Sequence, residues 1–324
     1  MKAIVYDRYG SPEVLKCEEI EKPNPGEGEV LIKVCAASVN PYDWHFMRGQ
    51  PYFIRLMAGL AKPKQRRLGA DVAGCVEAVG ESVSRFKPGD AVFGACRGAF
   101  SQYVCAPERT LAIKPDNVSF EQAASAPIAG LTALQGLRDQ GKIHAGLNVL
   151  INGAAGGVGT FAVQLAKSFG AEVTGVCSTR NVEMIRAIGA DQAVDYTRQD
   201  FSELGRRYDL IFDCIGNHSL LACRKVMNPN GISVEVGGSA GRWMLGFFVH
   251  AAAVLLLSPF ISQRFVTLMA KSKSGDLATI AQLMAAGKLT PVIDRRYGLN
   301  DVPEAIRYLE AGHARGKVVI TLQD

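Results

Sequence analysis

The chain has 324 residues, 48% apolar and 21% charged, which excludes a disordered polypeptide and leaves room for two cores. Its 36 basic and 31 acidic residues give a formal charge of +5, and their scatter along the sequence excludes nucleic acid as the main partner. The eight cysteines include no CxxC pair and most sit in apolar runs, so reduced thiols are expected rather than a disulfide framework.

The first residues, "MKAIVYDRYG", read as a strand and lack the apolar core and small-residue cleavage site of a signal peptide, so a cytoplasmic location is expected. Short strands broken by Gly and Pro follow through residue 118, among them "EVLIKVCAASVN", "GADVAGCVEAVG", "GDAVFGAC" and "SQYVCAP", and predict a β-rich domain. From Ser119 the spacing turns helical through Leu137, with Ser119, Glu121 and Gln122 as start signals. From Asn148 the runs "NVLIN", "AEVTGVC", "YDLIFDC" and "GISVEV" alternate with helical segments such as "NVEMIRAIG". That alternation predicts parallel strands with helical crossovers. The tail adds a helix capped by Asn300 or Asp301 and a last strand.

The stretch "NVLINGAAGGVGTFAVQLAKSFG" is a buried strand, a glycine turn and an amphipathic helix closed by Gly170. Gly153, Gly156 and Gly159, with Gly157 and Val158 between them, allow a sharp turn, close ligand approach and tight helix packing. The helix start then offers unpaired N–H groups and a positive dipole end to a dinucleotide pyrophosphate. The spacing is GxxGxxG rather than GxGxxG, so the flanking strand and helix carry the inference. Where an NAD enzyme places Asp or Glu after the next strand, this chain has Ser178, Thr179 and Arg180. A hydroxyl and a guanidinium suit a 2′-phosphate and point to NADP(H).

Several segments together resemble the medium-chain dehydrogenase/reductase superfamily, and within it the zinc-free quinone oxidoreductases related to zeta-crystallin and the chloroplast envelope quinone oxidoreductase homologue. They are "VNPYDW", "LGADVAGCVEAVGESVSRFKPGDAVFG", "GAFSQYV", "GLTALQGL", "NGAAGGVG" and "RGKVVIT", in this order along nearly the whole chain. The resemblance implies an α/β fold: a Rossmann doubly wound parallel sheet over 119–288, and a GroES-like β-rich catalytic domain from 1–118 and 289–324. It also implies that the zinc ligands of the neighbouring alcohol dehydrogenases correspond to Asn40, Ala70 and Ile128, none a normal zinc ligand, so no metal is expected. Asn40 is the candidate for orienting a substrate carbonyl, with a simple Asn-Pro turn as the competing view. His45 stands where zinc enzymes often keep a proton-relay His and the zeta-crystallin group often has Tyr, and a surface or packing histidine is the alternative. Thr132 and Tyr196 match positions that border the coenzyme in relatives, with helix packing and a buried strand-end tyrosine as the alternatives, while Gly216 and Gly237 stand at carboxyl ends of predicted strands, where a doubly wound sheet binds ligands.

A metal-free site favours hydride transfer from NADP(H) to a quinone or an α,β-unsaturated carbonyl, where conjugation spreads the arriving charge. An aldehyde or ketone reductase, and a low-turnover nucleotide-binding or membrane-associated sensor, are the alternatives. A homodimer is expected. The segment 243–261 is almost free of formal charge and raises three possibilities: a cover over the substrate cleft or a subunit contact, a peripheral membrane contact, and, least in keeping with its position, a span.

Overall fold

The computed structural model describes residues 1–236 and 262–322. The expectations for Gly237 and for 243–261 fall outside the described residues. Among the described residues no helix is long and apolar enough to cross a membrane.

In chain order the elements begin with β1 (Lys2–Val5), β2 (Lys16–Glu19), β3 (Glu29–Val39), α1 (Pro41–Arg48), α2 (Ile54–Ala58), β4 (Asp71–Val79), β5 (Ala91–Ala95), β6 (Tyr103–Pro107) and β7 (Leu111–Ile113). Helices α3 (Phe120–Ser125) and α4 (Pro127–Gln135) come next, then β8 (Asn148–Asn152), α5 (Gly157–Ser168), β9 (Glu172–Cys177), α6 (Val182–Ala187), β10 (Gln192–Asp195) and β11 (Tyr208–Asp213). The chain continues through α7 (Leu220–Lys225), β12 (Met227–Glu235), β13 (Arg264–Thr267), α8 (Ser274–Ala285), β14 (Ile293–Gly298), α9 (Val302–Glu310) and β15 (Lys317–Thr321). It forms two compact units, Met1–Leu131 with Ser272–Asp324, and Thr132–Lys271.

The first unit is built on a sheet of order β14-β15-β3-β4-β5-β7, with β6 also paired to β3. Strand β3 is its spine. Val30, Ile32 and Val34 are each at most 3% exposed, and burying a side chain of this size contributes about 1.5–3 kcal/mol. Helix α3 packs on β3, β4 and β15, and α8 packs on β7. The compact unit takes in both helices. Ser119 caps α3 as its spacing predicts: its Oγ accepts from the Gln122 N–H at 3.1 Å, and Gln122 Oε1 accepts from the Ser119 N–H at 3.0 Å. The helix expected to run on to Leu137 instead breaks at Ala126, because Pro127 lacks an N–H and opens a new helix.

The second unit is a parallel sheet of order β10-β9-β8-β11-β12-β13. Numbered from its own first strand this is 3-2-1-4-5-6, the doubly wound arrangement, with its reversal point between β8 and β11. The apolar runs are flat rather than alternating because both faces are covered. Val149, Leu150 and Ile151 are all fully buried.

Candidate active site

Two clusters stand out, one in each unit, and both form at strand ends. In the second unit β8 and β11 run parallel, so Asn152 and Asp213 finish side by side. Asn152 Nδ2 donates to Asp213 Oδ1 at 2.9 Å and to Asn217 Oδ1 at 2.9 Å. Asp213 Oδ1 also accepts the N–H groups of Ile215 and Gly216, each at 2.9 Å. The chain leaves β8 through Gly153, whose φ of 81° lies in the left-handed region that glycine enters without strain. A Cβ on Gly159 would come within 2.1 Å of the Gly153 carbonyl oxygen, so only glycine lets α5 approach the turn this closely.

Helix α5 starts after Gly156 with no side-chain cap, and Gly153, Gly156, Gly157 and Val158 are partly exposed. An uncapped, accessible helix start with no side chain at Gly156 or Gly157 fits an anion such as pyrophosphate. At the end of β9, Ser178 is half-buried and Arg180 exposed. Tyr196, just past β10, is 60% exposed. The acid nearest to them, Asp195, is engaged: it accepts from Thr179 Oγ1 at 2.6 Å and Thr197 Oγ1 at 2.7 Å. Gly216, φ 68°, lines a small cavity with His218 and Glu235, while Thr132 is half-buried on α4.

In the first unit β3 pairs antiparallel with β4 and β15, so its end meets their starts. Ser38 pairs with Asp71, and Val39 with Val318. Asn40, Asp71 and Lys317 are therefore brought together from distant parts of the sequence, all of them buried. Lys317 Nζ donates to Asn40 Oδ1 at 2.6 Å and approaches Asp71 Oδ2 at 3.5 Å. Asn40 Nδ2 donates to Asp71 Oδ2 at 2.9 Å and to the Ser38 carbonyl at 3.2 Å. Ser38 Oγ donates to Asp71 Oδ2 at 2.7 Å, and the Ile128 N–H to Asp71 Oδ1 at 3.0 Å. Burial pushes the Lys317 ammonium below its usual range, opposed by the charges of Asp71 and Asp43.

Asp43, on the first turn of α1, ties this cluster to the loop before β4. Its Oδ2 accepts the Asn40 N–H at 2.8 Å and its Oδ1 the Gly69 N–H at 3.0 Å. Burial raises its carboxyl to about 7 in spite of those two bonds. On the far side of Gly69 lies a cavity of about 310 Å³, bordered by Tyr6, Tyr42, Phe46 and Leu68. Tyr42 and Phe46, one helical turn apart on α1, pack with ring centroids 4.2 Å apart. Tyr6 is 2% exposed, and its hydroxyl has no hydrogen-bond partner among the described residues. Burial raises its pKa, helped by Tyr9, Tyr42 and Asp43, so it remains a donor at neutral pH.

The two catalytic candidates, Asn40 and His45, both lie in the first unit. Both N–H groups of the Asn40 amide are taken within the chain, so as placed it frames the site and has no free donor for a substrate carbonyl. His45 does not border the cavity: its Nδ1 lies 2.7 Å from the Gln50 carbonyl and its ring stacks on Trp44 at 3.6 Å. Burial lowers its pKa, which keeps it neutral. Tyr6, Asp71 and Lys317 escape a sequence reading. Tyr6 ends what looks like an ordinary edge strand, and a lysine before "VVIT" resembles the solvated mouth of a strand.

Residues 26–116 match the alcohol dehydrogenase GroES-like domain, and residues 188–320 match a family described as zinc-binding dehydrogenase. The chain is 34% identical to the chloroplastic quinone-oxidoreductase QR1 of Triphysaria versicolor, over 99% of this chain and 98% of that protein. It is also 34% identical to the chloroplastic NADPH-dependent alkenal/one oxidoreductase of Arabidopsis thaliana, over 99% of this chain and 79% of that one. The solved quinone oxidoreductase of Coxiella burnetii superposes with a TM-score of 0.87 at 33% identity, covering 100% of this chain and 99% of that one. The chain belongs to the medium-chain dehydrogenase/reductase superfamily, among relatives that are quinone oxidoreductases.

The zinc in the matched family's description does not fit the residues present. Asn40 is committed to Lys317 and Asp71, Ala70 and Ile128 have no donor side chain, and a buried ammonium already sits against the two oxygens available. Among the described residues, no three His, Cys, Asp or Glu side chains converge on a metal position.

Proposed function

We propose that the chain is a zinc-independent, NADPH-dependent oxidoreductase that reduces a quinone or an α,β-unsaturated carbonyl. The observation that carries this reading is the uncapped start of α5 at the reversal point of a doubly wound sheet, followed by Ser178 and Arg180 where a carboxylate would otherwise select NAD. The names of the relatives support the substrate class: quinone oxidoreductase and alkenal/one oxidoreductase.

When bound, NADPH supplies the hydride. The chain's own residues do the rest. The N–H groups of Gly157, Val158 and Gly159 hold the pyrophosphate, and Ser178, Arg180 and Tyr196 hold the 2′-phosphate, with Thr132 and Gly216 toward the nicotinamide half. In the first unit the Tyr6 hydroxyl donates to the acceptor carbonyl oxygen, where the charge that arrives with hydride accumulates. Tyr42 and Phe46 give the conjugated plane a face to stack on. Asn40 is a positioning residue that holds Lys317 and Asp71 and, through its own N–H, Asp43. Solvent supplies the proton.

The same reading includes a cytoplasmic location and a homodimer, the latter checked by light scattering of the purified chain. A screen of quinones, enones and saturated aldehydes with NADPH, resolved by product, tests the activity. Reduction of quinones or of enone C=C bonds is expected. Reduction confined to saturated carbonyls, or NADPH binding without turnover on any acceptor, would reject the assignment.

A further inference from the structure

The cavity beside Tyr6 has a feature that a neutral quinone or enone does not require. Lys64, Arg67 and Arg97 border it together with the aromatic rings, and no acidic side chain does. None of the three has a carboxylate partner among the described residues, in contrast with the adjacent Arg66, which pairs with Asp7 and Glu18. The nearest acids are engaged elsewhere: both oxygens of Asp43 accept backbone N–H groups, and those of Asp71 bind Ile128, Ser38, Asn40 and Lys317. Gly98 gives Arg67 its seat, since a Cβ there would lie 3.2 Å from Arg67 Nε and 3.1 Å from its Cβ. Unpaired cations along a concave wall of low polarizability focus a positive potential into it.

We propose that this cavity takes an acceptor with two ends, a conjugated carbonyl stacked by Tyr42 and Phe46 and a terminal anion held by Arg67, Arg97 and Lys64. A volume of about 310 Å³ lies at the lower end for small-molecule sites and suits a medium-length enone with a carboxylate or phosphate tail. A guanidinium fork binds either anion through paired N–H groups. The inference deepens the proposed reductase reading and relies on it only for the reactive end.

The test compares one enone in three forms that differ only at the end of a saturated tail: carboxylate, phosphate monoester and methyl ester. Binding to the full chain is measured by calorimetry with NADP+ present, and reduction is measured separately with NADPH. An anionic form should bind about ten- to a hundredfold tighter than the ester, as expected for charge-assisted hydrogen bonds, and added salt should erase the advantage. Whichever anion binds tighter identifies the source. Arg67→Gln with Arg97→Gln should bring the ratio of anion to ester near one, and Arg67→Lys should recover part of it. Equal binding of all three forms by the unmodified protein overturns the proposal, as does a preference that survives the double substitution. A double variant that weakens NADP+ as much as the anion would assign these cations to the coenzyme and also overturn it. Preferential binding of an anion without reduction leaves this proposal standing and rejects the reductase reading.

Discussion

The two strand-end clusters are made by opposite rules. In the parallel sheet, β8 and β11 end at the same edge, so Asn152, Asp213 and the glycine turn meet by virtue of sheet order. Where β3 pairs antiparallel with β4 and β15 an end meets beginnings, and Asn40 finds Asp71 at a separation of 31 residues and Lys317 at 277. The first arrangement leaves the start of α5 without a side-chain cap. The second closes on itself, with nearly every donor and acceptor matched inside the protein.

The sharpest way to break this contrast is to unbalance the closed cluster. Lys317→Met should leave Asp71 as an uncompensated buried charge and cost about 3–5 kcal/mol. Urea unfolding would measure it, and adding Asp71→Leu should return much of the loss. A Lys317→Met protein of normal stability would mean that the cluster is not the brace it looks like.

At the open cluster the largest effect is expected from Gly159→Ala, whose new methyl group meets the Gly153 carbonyl at 2.1 Å. Overpacking of this kind costs about 1–3 kcal/mol. NADPH affinity should fall with it, because the turn must open to admit the group. Fluorescence titration of NADPH reads the second effect and thermal unfolding the first.

Arg180→Ala sharpens the assignment of the open site to NADP(H). The NADPH dissociation constant should rise roughly tenfold or more while that for NADH stays within about twofold, in keeping with the loss of one charge-assisted bond. Equal weakening of both coenzymes would reassign Arg180.

A pH dependence of stability is also expected. The folded-state carboxyl of Asp43 is raised to about 7, whereas the unfolded value is near 4. Between those values the native state keeps a proton that the unfolded chain has released, so stability should fall as pH rises from about 4 to about 7. Asp43→Asn removes this term at the cost of one backbone acceptor. Its unfolding midpoint should change less with pH than the parent's, and parallel curves would exclude the assignment.

Much of the second unit was legible because its signals are local. The strand "NVLIN", the turn from Gly153 to Gly159 and the amphipathic helix are contiguous, and period and glycine placement suffice to read them. The absence of an acid at Ser178 and Arg180 is equally local. The first unit was legible only as strands. Asn40 stood out through its likeness to relatives, yet its amide turned out to face Asp71 and Lys317, which no run of neighbouring residues announces. His45 failed as a cavity residue for a related reason: Tyr42 and Phe46 take the cavity side of α1, and the imidazole is turned to Gln50.

The amino-acid order by itself determined the alternation that gives a parallel sheet, the glycine turn before α5 and the strand-rich character of both chain ends, since each depends on residues within one or two turns of each other. Only tertiary structure decided which charges are buried together and which are left open. Whether Asp71 meets Lys317, or Arg67 and Arg97 border a cavity without an acid, depends on antiparallel registers that join remote segments. Electrostatic energy depends on distance and on exclusion of water, and both are properties of the folded chain.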